Sequence, residues 1–175
     1  TLAVDNIAGM LSLDRVDVAD QARVVVMPFL SGERLPNYPE ARGSVVGIDH
    51  TTTPGEILLA AYEGVVYSLV ESIEVLHAHS SGIDSDAPII LVGGGAKGKI
   101  WQQTISRLSG RELVIPKSEE LVAYGAAAQA AGILNNEAAV DVAARWNVAE
   151  GPRLAASAVD SEAIERNKCI REATH

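Results

Sequence analysis

The sequence predicts an α/β fold. Two observations carry that reading: short apolar runs alternate with helical patterns through the middle of the chain, and three glycines stand where one such run, Ile89 to Val92, passes into a helix. Strands alternating with helices predict parallel pairing, right-handed crossovers, and ligand sites at the carboxyl ends of the strands. Composition agrees, since 175 residues with 47% hydrophobic and 21% charged side chains describe a globular chain rather than a disordered one.

Taken in order, Val4, Ile7, Ala8 and Leu11 recur at helical spacing in Leu2 to Leu13, and a second short helical stretch ends near Ala22. The chain starts inside structure, with no leading methionine or strand, which predicts a piece of a longer polypeptide. Val24 to Leu30 is apolar throughout, as a strand covered on both faces would be. Ser31 to Thr53 is a long loop rich in Gly, Pro and charge; its Glu33 and Arg34 either position phosphates or a neighbouring domain, or are simply solvated.

Thr53-Pro54-Gly55-Glu56 is a helix start: the Thr53 hydroxyl can cap the N3 amide, Glu56 can reach back, and Pro54 loses no hydrogen bond at the first position. The helix is expected to run to about Ser80. Leu58, Val65, Leu69, Ile73 and Leu76 form its apolar stripe, and Glu56, Glu63, Tyr67, Glu71 and Glu74 its wet side. His77 and His79 are two apart and point in different directions, so they are read as surface residues. A turn at Ser81 to Asp86 leads to the strand Ile89 to Val92.

After the glycines, Lys99 to Leu108 is helical and Gly110 ends it; Glu112 to Ile115 is a strand, and a helix runs from about Glu119 to Leu134. Its small-residue run, Gly125 to Gly132, is expected to pack closely. Glu137 to Trp146 and Asp160 to Ala173 are further helices, the last one polar and without evident chemistry.

Gly93-Gly94-Gly95-Ala96-Lys97-Gly98-Lys99 is the candidate site, because side-chain-free main chain can approach a ligand and the next helix offers its N-terminal amides to an anion. It satisfies G-x-G-x-x-G, and all but the last letter of G-x-x-x-x-G-K-[ST]. Ile100 stands where that second motif needs a hydroxyl for Mg²⁺, which argues against the P-loop reading. A dinucleotide site remains open, with Glu119 and Glu120 near the offset of the ribose-binding acid, although Pro116-Lys117-Ser118 separates them from the strand. A purely structural turn remains open too. Lys97 and Lys99 are either anion donors or solvated lysines.

A net charge of −9 argues against a duplex nucleic-acid surface. No apolar run reaches the length of a membrane span and no leader is evident, so the expectation is a cytoplasmic protein without a membrane partner. Cys169 is the single cysteine, which excludes an internal disulfide and a multi-cysteine zinc site.

The stretch Gly43-Ser44-Val45-Val46-Gly47-Ile48, then Glu56-Ile57-Leu58-Leu59-Ala60-Ala61-Tyr62-Glu63 seven residues later, resembles the C-terminal signature of the FGGY family of carbohydrate kinases. Pro28-Phe29-Leu30-Ser31-Gly32-Glu33-Arg34 followed by Pro36, and Leu91-Val92-Gly93-Gly94-Gly95-Ala96, are similar to stretches of its xylulokinase branch. Glu120-Leu121-Val122-Ala123-Tyr124-Gly125-Ala126-Ala127 is similar to the family's last core helix, so the resemblance covers about Leu2 to Leu134.

The resemblance implies an actin-like, ribonuclease-H-like ATPase fold, with this chain forming most of the second domain without its opening strands. Residues 1–134 would be a nucleotide-binding domain and 135–175 a helical extension. The partners implied are the N-terminal domain of the same enzyme, ATP or ADP, and a small sugar, with transfer of the ATP γ-phosphate to a sugar hydroxyl; the xylulokinase likeness implies D-xylulose as acceptor. Gly93, Gly94, Gly95 and Ala96 would lie against adenosine, Lys99 would reach the adenine, and Asn6 on the early helix would stand near it. Mg²⁺ would be bound mainly through ATP and the other domain. No catalytic residue or metal ligand is expected in this chain, because the family's first phosphate loop and catalytic aspartate belong to the N-terminal domain and its second phosphate loop should precede residue 1. The isolated chain is therefore expected to lack kinase activity. A homodimer is compatible with this reading. The alternatives are a dinucleotide-binding, Rossmann-like half of an oxidoreductase, and a non-catalytic packing or dimerisation domain.

Overall fold

A computed structural model of the chain describes residues 23–35, 37–80, 84, 86–118 and 120–174. The helical stretches expected before residue 23, Asn6 among them, lie outside these residues, as do Gly82 and Glu119.

Strand β1 (Val25–Met27) is shorter than its apolar run: Val24, Val25, Met27 and Phe29 are buried, but Leu30 is 80% exposed. It pairs antiparallel with β2 (Ser44–Val46), in the register Val25–Val46, Val26–Val45 and Met27–Ser44. The segment expected as loop thus holds a strand, with two β-branched residues suited to a pleated surface. This sheet departs from the predicted parallel pairing because the β1–β2 link contains no helix to make a crossover.

Helix α1 (Pro54–His79) starts as expected. Thr53 Oγ1 accepts the Glu56 N–H at 3.2 Å, and Glu56 Oε2 accepts the Thr53 N–H at 2.7 Å. Its buried face differs from the expected one. Val65, Leu69 and Leu76 are exposed, whereas Glu63 and Tyr67, expected on the wet side, are buried with Leu59, Ala60, Gly64 and Val66. Close approach decides between the two faces: a Cβ added to Gly64 would sit 1.9 Å from the Val26 carbonyl oxygen. Only the face that carries Gly64 can lie that near β1, so Val65, Leu69 and Leu76 turn outward.

Strands β3 (Ile89–Ile90) and β4 (Leu113–Val114) pair in parallel, Ile89 with Leu113 and Ile90 with Val114. Helix α2 (Lys99–Ser109) makes the crossover the alternation predicts. Gly110 ends it in the left-handed region (φ 64°), donating its N–H to the Ser106 carbonyl at 2.8 Å. Val66, Leu91, Ala96, Ile105, Leu108 and Leu113 form the core between α1, α2 and this sheet.

Helices α3 (Leu121–Asn135) and α4 (Ala139–Arg145) form a hairpin. The small-residue run of α3 was expected to pack closely along its length, but only Ala128 and Gly132 are buried. A Cβ on Gly132 would meet the Glu137 carbonyl oxygen at 2.6 Å, so the close approach is to the turn into α4; Gly125 faces open space. Val122, Ile133 and Leu134 are more than four-fifths exposed.

The stretch after residue 134, read from sequence as helical, also holds a strand. This is β5 (Arg153–Leu154), antiparallel to β4 and completing the order β3-β4-β5. Helix α5 (Ser161–Thr174) is polar, yet it buries Ala163, Asn167 and Arg171 and packs on α1, α2 and β1.

Candidate functional site

Leu91 still donates its N–H to the Val114 carbonyl at 2.9 Å, and then the chain leaves the sheet at Gly93. Gly93 has φ 94° and ψ 174°, a conformation open almost only to glycine. Gly94–Lys97 form one 3₁₀ turn, closed by Ala96 N–H to the Gly93 carbonyl at 3.1 Å and Gly98 N–H to the Gly95 carbonyl at 3.2 Å. Gln102 Nε2 donates to the Ala96 carbonyl at 2.6 Å, and the Ala96 side chain is buried in the core below. The turn is thus anchored from beneath and open above.

A Cβ added to Gly93, Gly94 or Gly95 would meet nothing within 4 Å. Only Gly93 is required by its backbone angle. For Gly94 and Gly95 neither packing nor φ among the described residues explains the missing side chain, and main chain this bare can be approached closely by another group. The first amides of such a turn have no acceptor inside it, which leaves them for a ligand or water. Lys99 is exposed at the first position of α2. Gly93, Gly94, Gly95 and Ala96 therefore share one turn just beyond β3, with Lys99 opening the helix that follows it, whereas Asn6 lies outside the described residues.

Ile100 occupies the second position of α2, so a P-loop hydroxyl has no counterpart here. For a dinucleotide site, an acid should stand at the tip of β4. That strand ends at Val114, and Glu120 is exposed at the start of α3, so no carboxylate stands at the tip among the described residues.

Beneath the turn, Tyr62 of α1 and Trp101 of α2 meet with ring centroids 5.9 Å apart and planes tilted by 54°. Farther along α2 lies a charge cluster the sequence reading missed. Arg107 Nη2 binds Glu63 on α1, Arg107 Nη1 binds Asp160 ahead of α5, and Arg166 Nη2 stands 3.7 Å from the other Glu63 oxygen. Burial opposes the Asp160 carboxylate, but the Ala163 N–H and the Arg107 guanidinium outweigh it and hold its pKa below the ordinary value. A second cluster joins α1 to α5: Arg171 pairs with Glu71 and lies 5.4 Å over the Tyr67 ring. Burial, then the nearby Glu71 carboxylate, push the Tyr67 hydroxyl up. The signal for Glu63 was its spacing from Leu59, Ala60, Val66 and Tyr67, an acid inside a small and apolar stripe.

The other candidates are local. Glu33 Oε1 accepts the Arg34 N–H at 2.7 Å within an exposed turn, and His79 Nδ1 bonds the Val75 carbonyl at 2.8 Å. Cys169 is exposed on α5. Among the described residues no group of three His, Cys, Asp or Glu could hold a metal ion, and no helix is long and apolar enough to cross a membrane.

Comparison with known proteins follows the same lines. Residues 5–133 match the family described as "FGGY family of carbohydrate kinases, C-terminal domain". The xylulose kinases of Streptomyces rubiginosus and Streptomyces coelicolor are 49% and 51% identical to the chain, each over 95% of it and 34% of their own length. A crystal structure of Plasmodium falciparum glycerol kinase with ADP superimposes with a TM-score of 0.76 at 20% identity, covering 96% of this chain and 33% of that one. That likeness shows an actin-like ATPase fold, and the chain spans about a third of the length of these relatives. The chain belongs to the FGGY family of carbohydrate kinases, within whose C-terminal domain its glycine turn lies.

Proposed function

We propose that this chain is the nucleotide-binding part of an ATP-dependent sugar kinase, and that its glycine turn is the wall against which the adenosine lies. The observation that supports this most directly is the open, exposed main chain of Gly94 and Gly95, bare without steric need at the end of a parallel strand. In this reading Gly93 to Ala96 hold adenosine by main-chain contact, Lys99 reaches the adenine edge, and residues 1–134 are the nucleotide domain with 135–175 as its extension. Asn6 is assigned to the same pocket by resemblance alone.

ATP supplies the phosphoryl group, with Mg²⁺ carried mainly on its phosphates and by the N-terminal domain of the same enzyme. The acceptor is a sugar hydroxyl, and identity near 50% to xylulose kinases favours D-xylulose. The proton acceptor and most sugar contacts are assigned to that other domain, in a cytoplasmic enzyme. The 175 residues alone therefore hold nucleotide weakly and turn over none. The test is titration of the chain with ADP, ATP and NADH, following the amide resonances of Gly93 to Lys99, beside an ATP-dependent xylulose phosphorylation assay. Shifts confined to the turn with ADP and ATP, and no turnover, are expected. Preference for NADH would favour the oxidoreductase alternative, and no response to any nucleotide the structural one.

A further inference from the structure

Helix α2 begins at the glycine turn, so whatever fixes the helix fixes the turn. Near its start the restraints are short-range: the Gln102 bond to Ala96, at 2.6 Å, the buried Ala96 side chain and the tilted Tyr62–Trp101 contact. Toward its end they are stronger and come from distant parts of the chain. The Arg107 guanidinium, largely buried, forks between Glu63 on α1 and Asp160 ahead of α5. The Asp160 N–H returns to the Arg107 carbonyl at 3.0 Å, and Asp160 Oδ1 takes the Ala163 N–H at 2.9 Å, so its position is itself fixed. One planar cation held by two carboxylates on different elements restrains both the placement and the rotation of α2.

We propose that Arg107 is a positioning residue for the nucleotide site, with Glu63 and Asp160 as its anchors; this rests on the nucleotide reading of the turn. Arg107 lies eight residues beyond Lys99 on the same helix, which is about 12 Å along its axis. Pivoting α2 by about 5° there moves the turn by about 1 Å, a displacement that breaks close main-chain contact with a ligand and that between reacting groups costs on the order of a hundredfold in rate. Stability alone gives little reason for the arrangement, because apolar side chains of similar volume commonly replace all members of a buried ion cluster together without loss, although removing one member alone strands the others. Geometry gives a reason: methionine fills the space but cannot be aimed. The acid that closes the Gly43 to Glu63 signature thereby acquires a role, since Glu63 is one of the two anchors.

The experiment uses Arg107→Met, Arg107→Lys and Glu63→Gln in the full chain, with thermal midpoints, ligand-free amide spectra and ADP titrations. We expect Arg107→Met, which leaves the buried Glu63 carboxylate without its nearest cation, to melt about 6–20 °C below the wild type, and, at temperatures where it is folded, to move the Gly94 and Gly95 resonances before any ligand is added and to bind ADP at least about tenfold more weakly. Arg107→Lys should recover part of the affinity. Should Arg107→Met not fold, Glu63→Gln, which keeps the shape and removes one charge, carries the same readouts. Wild-type ADP affinity and unmoved glycine resonances in the variants overturn the proposal alone. A wild-type chain whose turn does not respond to millimolar ADP overturns the nucleotide reading and this proposal with it.

Discussion

Placing the same methyl group on three glycines should have three different effects, for three different reasons. In Gly64→Ala the new carbon would lie 1.9 Å from the Val26 carbonyl oxygen and 3.1 Å from Pro28 Cδ. Contact distances are about 3.5 Å, so α1 must retreat from β1 by about 1.5 Å or the strand must bend. Overpacking of that kind costs about 3 kcal/mol or more, from which about 1 kcal/mol of helix propensity is recovered. The net of about 2 kcal/mol lowers the melting midpoint of a chain this size by about 4–8 °C. Gly95→Ala meets nothing within 4 Å, and its backbone angle is ordinary. It should melt within about 0.5 kcal/mol of the wild type. Its methyl group, however, enters the space assigned to the nucleotide, where overlap costs about 1–3 kcal/mol, a weakening of ADP binding of about 5- to 150-fold. Gly93→Ala has open space but φ 94° and ψ 174°, so backbone strain alone should cost about 1–3 kcal/mol. The assays are differential scanning calorimetry and ADP titration calorimetry. Equal destabilisation by Gly95→Ala and Gly64→Ala, or an unchanged ADP affinity in Gly95→Ala, refutes the reasoning.

Two further outcomes test the framework around the site. Thr53→Ala removes one arm of the capping box and should cost about 1 kcal/mol, read as a fall of about 2–4 °C in the melting midpoint; an unchanged midpoint shows that the cap is not needed. The folded pKa of Asp160 lies below its unfolded value, near 3.9, so its contribution is complete above that value and fades as the pH falls through the lower folded one. Urea melts should accordingly show wild type more stable than Asp160→Asn by about 1–3 kcal/mol at pH 7, with the gap narrowing as the pH falls below the unfolded value; a gap that does not narrow on acidification is incompatible with this account.

Much of the fold was legible because its signals are local. The capping box at Thr53, the left-handed Gly110 and the strand–glycine–helix order at Gly93 each need only a few neighbouring residues. The parallel pairing of β3 and β4 followed from the helix between them. What sequence could not reveal was which of two apolar faces of α1 would be inside. Leu58, Val65 and Leu69 outweigh Ala60 and Gly64 in hydrophobicity, but burial was decided by how near α1 can lie to β1. The same error hid Glu63 on a face read as wet, and with it Arg107 and Asp160, whose meeting joins three parts of the chain. At the site, the glycines were found by their spacing. Their distinct reasons, backbone angle at Gly93 and bare approach at Gly94 and Gly95, emerged only from the coordinates of the turn.

The packing of α5 on β1 has a consequence for how the chain is made. Ile170 lies against the cluster of Val25, Met27 and Phe29, although nearly all of the described chain separates them. At ribosomal rates of about 5–20 residues per second, the apolar surface of β1 waits on the order of 10 s before its distant partner is synthesised. A contact between segments this far apart also delays the folding search after release. During that interval β1 and β2 form a two-stranded ribbon without all of its cover, a state in which strand edges are prone to pair with other chains. Slow synthesis or loss of the α5 contact should therefore appear first as aggregation of nascent chains, before any change in the stability of the finished protein.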